Sequence, residues 1–119
     1  MAAADYDVSF RFTNDTQWTA TFEVWGPNPQ GRGNGVVVLL RPHDAVAFMV
    51  NASTTYFYCL RHHGLETRFS VQVRFDTMTT IAEIVPPALP ANYHQITNWP
   101  VMEGITIRRL RPLAHHISG

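Results

Sequence analysis

The sequence has no lysine: its nine basic residues are all arginine, set against nine acidic residues for a formal net charge of zero. That absence excludes lysine-based Schiff-base catalysis and the lysine-bearing phosphate loop. The neutral balance excludes the basic footprint of a protein that lives on nucleic acid or on an anionic membrane surface. A GC-rich coding sequence accounts for the arginine bias more simply than selection against modifiable amines.

Cysteine is also scarce. Cys59 is alone, so no intramolecular disulfide forms and the fold has to stand on its hydrophobic core. No apolar stretch approaches the roughly 20 residues of a membrane helix. The first residues, "MAAADYDVSF", lack a charged segment followed by an apolar run, so the expectation is a cytoplasmic, reducing setting with no membrane span. The sequons Asn14-Asp15-Thr16 and Asn51-Ala52-Ser53 point the other way, but such triplets are frequent in loops.

At 119 residues and 45% hydrophobic content the chain has room for one domain, 1–119, with one core. Helical periodicity is missing and a period of two runs almost throughout. Tyr6, Val8, Phe10 and Phe12 alternate with polar residues, as do Trp18, Ala20, Phe22 and Val24, and the pair reads as a hairpin turned by "TNDT". "VVVLL" at 36–40 reads as a strand covered on both faces. Further strands are expected at 45–50, from Thr55, and over 67–75, where Thr67, Phe69, Val71, Val73 and Phe75 alternate with polar positions. "TIAEIV" at 80–85 is ambiguous, the four prolines of "PPALPANYHQITNWP" argue against regular structure over 86–100, and "GITIRRLRP" supplies a last strand.

Seven to eight short strands with Gly, Pro, Asn and Asp at the joints predict an all-β fold, an antiparallel β-sandwich, with a small closed barrel as second choice.

"YFYCLRHHG" at 56–64 raises the question of a metal or nucleophile site. On a strand, Tyr58, Leu60 and His62 face one way and Phe57, Cys59 and Arg61 the other, so Cys59 and His62 point apart. Cys59 and His63 share a face but stand roughly 13 Å apart, beyond any ligand or catalytic pairing. His43, His94, His115 and His116 show no metal-ligand spacing, so neither a metal nor a cofactor is expected. Nucleophile-elbow and dinucleotide motifs are missing, and "GRGNG" at 31–35 lacks the helix of a phosphate loop.

The two irregular loops carry the ligand expectation. Each combines tryptophan with amides, and a sugar presents an apolar C–H face ringed by hydroxyls, which aromatic platforms beside planar amides recognise. Trp25, Tyr93 and Trp99 are expected to stack on sugar rings. Asn28, Asn92, His94, Gln95 and Asn98 complete the site, the amides bonding hydroxyls. The chain is thus read as a lectin-like carbohydrate-binding module without catalytic residues, and edge-strand pairing would make it a homodimer. The alternatives are a small hydrolase or cyclase with His94 as general base near Glu103, and an interaction module working by strand addition. Arg68, Arg74, Arg108, Arg109 and Arg111 are either solvated strand faces or an interface with an acidic partner.

Overall fold

The period-two rows fold as strands, and a computed structural model, which describes residues 6–27, 36–85, 91–95 and 97–113, arranges them in two sheets. β1 (Asp7–Thr13), β4 (Ala45–Asn51) and β7 (Thr77–Thr80) form a three-stranded sheet in the order β4-β1-β7. β2 (Ala20–Gly26), β3 (Val36–Leu40), β5 (Tyr56–His62), β6 (Leu65–Val71), β8 (Trp99–Met102) and β9 (Ile105–Pro112) form a six-stranded sheet in the order β3-β2-β5-β6-β9-β8. Every pair is antiparallel except β1 with β7. The expected β-sandwich is the fold, and neither sheet closes into a barrel.

The inner faces meet over a stack of rings. Phe10 and Phe12 from β1 are fully buried against Phe22, Tyr58 and Phe69 of the opposite sheet, with centroid separations of 4.6 Å for Phe12–Phe22 and 5.0 Å for Phe22–Tyr58. Single buried aromatics of this size contribute several kcal/mol each, on the order of 3–5 by truncation to alanine, so this stack supplies the stability that disulfides do not. One cluster containing residues from both sheets forms the core of the described residues.

Several local expectations change. The strand expected over 67–75 is β6, which ends at Val71 and leaves Phe75 on the surface. β1 and β2 do not form a hairpin: the chain crosses between sheets at Asn14, whose buried amide donates to the carbonyls of Trp18 and Leu40 at 2.8 and 2.9 Å and so fixes the crossover. Trp18 lies ahead of β2, 41% exposed, instead of in the core row. β3 is an edge strand, not a covered one, and leaves Val37 and Leu39 on the surface. Strand β8 begins at Trp99 despite Pro100, because proline is tolerated at the margin of a sheet where β8 sits.

Residues 81–84 form one short helical turn, α1 (Ile81–Ile84), instead of extending β7. Thr80 and Glu83 close a reciprocal capping box, and Asp15 accepts from the Ala82 amide at 3.0 Å, so the exposed donors of this turn are satisfied from the sequence nearby. Ile81 and Ile84 enter the core. No helix among the described residues is long and apolar enough to cross a membrane.

Candidate functional site

Outward-facing positions on the six-stranded sheet carry most of the chemistry. Thr21, Arg61, Glu66 and Arg111 lie in one cross-strand register, and Glu23, Cys59, Arg68 and Arg109 in the next. Glu66 is buried and gathers three guanidinium groups: Arg68 Nε at 2.8 Å, Arg111 Nη2 at 3.1 Å and Arg61 Nε at 3.5 Å. Burial alone raises its pKa, but the hydrogen bond from Arg68 and the charges of Arg111, Arg68 and Arg61 outweigh it and hold the carboxyl below its ordinary range. Arg61 is shared with Glu23 at 3.0 Å.

Two β-bulges shape the neighbouring surface. Between β2 and β5 the register steps from Val24↔Tyr58 to Gly26↔Phe57, inserting Trp25, and Gly26 takes the positive φ of 68° that this step uses. Between β6 and β9 it steps from Arg68↔Arg109 to Phe69↔Ile107, inserting Arg108. Regular alternation would send one of two adjacent arginines into the core. The bulge instead keeps Ile107 and Leu110 buried while both Arg108 and Arg109 reach solvent.

Between the bulges lies a depression of about 380 Å³ lined by Trp25, Phe57, Arg68, Arg108 and Arg109, with Tyr58 and Phe69 beneath. Trp25 is buried there, with the Arg68 guanidinium carbon 5.1 Å from its ring centroid, and its indole N–H has no acceptor among the described residues. Arg108 donates from Nε to Ser70 Oγ at 3.0 Å and from Nη1 to Asn98 Oδ1. Asn98 holds a left-handed backbone, φ 54°, a conformation that asparagine tolerates better than most residues.

A second depression, about 560 Å³, opens at the tight β5–β6 turn, where His63 and Gly64 both have positive φ as a two-residue hairpin requires. Trp18 stacks on His63 with centroids 3.8 Å apart, while Ile81, Val85 and Tyr93 provide apolar walls. His62 Nε2 lies 2.9 Å from Thr16 Oγ1. The Asn14 amide orientation is fixed by its two carbonyl partners, so its Oδ1 accepts the Thr16 hydroxyl proton at 2.6 Å and His62 must donate to Thr16. This is a positioning bond, since a general base would need to receive that proton.

Cys59 is fully buried and burial, chiefly, pushes its thiol up to about 11, so it stays protonated and unreactive. Among the described residues no group of three or more His, Cys, Asp or Glu side chains could hold a metal ion.

The residues expected to bind sugar fall in separate places. Trp25 and Asn98 border the arginine-lined depression, Asn98 through Arg108. Trp99 pairs with core-facing Ile107 and lines a hollow against α1 on the other side of the sheet. Tyr93 lines the Trp18–His63 depression, and Asn92 and Gln95 are exposed beside it in sequence, around a short 3-10 turn. Asn28 lies outside the described residues, as does the His94 side chain. Phe57, Arg68, Arg108 and Arg109 complete the first depression and were not expected to bind sugar, although "RR" interrupting the apolar alternation of "ITIRRL" is the sequence signal of the bulge that exposes two of them.

Fold and geometry together define a β-sandwich with an arginine-lined depression on one sheet face. No family model matches the chain, and comparison with curated proteins and with solved structures finds no match.

Proposed function

We propose that the protein is a non-enzymatic, carbohydrate-binding module whose site is the depression on the outer face of the six-stranded sheet. The observation that carries this reading is the convergence of Phe57, the Trp25 floor, three guanidinium groups and the Asn98 amide on one surface framed by two bulges. The partly exposed Phe57 ring takes the C–H surface of a sugar, and planar nitrogen donors donate hydrogen bonds to its oxygens in fixed directions. Bulges recur where a sheet re-aims side chains for function. A cytoplasmic setting is part of the proposal.

A homodimer formed through β3 is part of the proposal. Val36–Leu40 ends its sheet, carries no charge, and leaves Val37 and Leu39 56% and 60% exposed. An antiparallel pair of identical edge strands is self-complementary about a two-fold axis, and two linked sites raise the avidity for a polymer. The same edge also supports the rival reading, strand addition to a different chain.

A glycan array tests the proposal, run with the wild type and with Phe57→Ala, Arg109→Ala and Trp99→Ala variants that retain the wild-type circular dichroism spectrum. Selective binding lost in the first two and kept in Trp99→Ala is the expected result. Loss only in Trp99→Ala moves the site to the opposite side of the sheet, and no binding by the wild type rejects the reading.

A further inference from the structure

Five arginines, Arg61, Arg68, Arg108, Arg109 and Arg111, share the outer face with two glutamates, an excess of three positive charges in a chain whose formal net charge is zero. We infer that the depression binds saccharides carrying carboxylate or sulfate groups, an inference that rests on the carbohydrate-binding reading and narrows its ligand class.

The positive charges are unequally compensated. Arg61 has Glu23 and Glu66, while Arg68 and Arg111 share Glu66. Among the described residues Arg108 has only neutral partners, Ser70 and Asn98, and Arg109 has no hydrogen-bond or ion-pair partner. The uncompensated charge therefore collects at the two arginines that the β9 bulge turns into the depression.

Hydrogen-bond chemistry gives the same direction independently. A guanidinium group donates from up to five N–H bonds and accepts none. The Asn98 oxygen is already engaged by Arg108. A neutral sugar hydroxyl brings a proton that itself seeks an acceptor, and these side chains supply few. A carboxylate or sulfate brings acceptors alone and pairs with guanidinium in a bidentate fork, the stronger class of hydrogen bond.

The surroundings favour a saccharide over other polyanions. Phe57 is partly exposed and offers one apolar face, but Trp25 is covered by Arg68, so successive nucleobases find no row of open platforms. Arg111 follows Arg109 on the same strand face at roughly 7 Å, which continues the basic row along β9 for a ligand of several units.

The experiment is a calorimetric titration with two matched pairs, oligogalacturonate against its methyl ester and dextran sulfate against dextran, in wild type, the Arg108→Gln/Arg109→Gln double variant and Arg11→Gln on the three-stranded sheet. A single-stranded oligonucleotide serves as the non-saccharide polyanion. The expected result is binding to the charged member of at least one pair, at least tenfold weaker binding to its neutral counterpart, and a loss of about tenfold or more in the double variant only, the size expected for charge-assisted hydrogen bonds. Equal affinity for charged and neutral members overturns the acidic class and leaves the carbohydrate-binding proposal standing. Equal losses in Arg11→Gln overturn the site, and tighter binding of the oligonucleotide overturns the saccharide. If neither the charged members nor any neutral glycan binds, both this inference and the proposal on which it rests fail.

Discussion

The Arg68 guanidinium carbon lies 5.1 Å from the centroid of the Trp25 ring while its Nε holds Glu66 at 2.8 Å. One side chain thus joins the buried ion cluster to the floor of the depression. Its charge is oriented by Glu66, and its plane roofs an indole that would otherwise be open to water.

Arg68→Met is therefore expected to act on both structures. Trp25 becomes more exposed and its fluorescence emission shifts to longer wavelength. Stability falls by about 1–3 kcal/mol through loss of the charge-assisted bond and the cation–π contact. Denaturant titration followed by emission reads both, and an unchanged emission maximum would contradict the roofing role.

Glu66→Gln leaves Arg61, Arg68 and Arg111 facing a neutral amide. The three arginines are partly solvated, with side-chain exposures of 30–40%, so the cost at neutral pH is about 1–3 kcal/mol and below that of a fully buried broken pair. Because the folded carboxyl is held below its ordinary value of 4.5, its contribution is complete above that pH and is lost as pH falls through the lower folded value. Wild-type stability measured between pH 7 and pH 2 should show this acid slope, and the variant should show a shallower one.

His62 gives a separate window. Burial first, and then His63, lower its pKa from 6.5 against a smaller opposing effect of Asp15. The unfolded chain takes up a proton near pH 6.5 where the folded chain does not. Stability therefore falls as pH drops through about 6.5, and the slope ends once the folded imidazole also protonates. His62→Gln keeps a donor for Thr16 and should flatten thermal stability just below pH 6.5 without altering the more acidic slope due to Glu66.

These particulars explain what could be read from sequence. β1 alternates without fault from Asp7 to Thr13 because one face meets the core and the other meets water, so side-chain polarity reports the fold directly. Val36–Leu40 misleads because hydrophobicity alone cannot distinguish a covered central strand from an uncovered edge. The burial of Trp25 depends on Arg68, which is 43 residues away in sequence, so no local pattern announces it. Trp99 and Trp25 resemble each other in composition of their loops yet lie on opposite sides of the sheet, a consequence of register that no local pattern carries.

The edge strand yields a prediction about assembly. Leu39→Lys places a charge on the exposed face of β3, where it disfavours strand pairing at little cost to a side chain already 60% exposed. Sedimentation velocity should find the wild type dimeric and the variant monomeric, with unchanged thermal stability of the subunit. A monomeric wild type at working concentration would contradict the dimer.

The most direct test of the central claim, that the outer face of the six-stranded sheet is the ligand site, is a backbone amide chemical-shift map during titration with the best ligand from the glycan array. Shifts concentrated at Trp25, Phe57, Ser70, Asn98, Arg108 and Arg109 are expected, with the Trp18–His63 end of the molecule unmoved. Shifts concentrated at Trp18, His62 and His63, or spread evenly over the three-stranded sheet, would contradict the assignment.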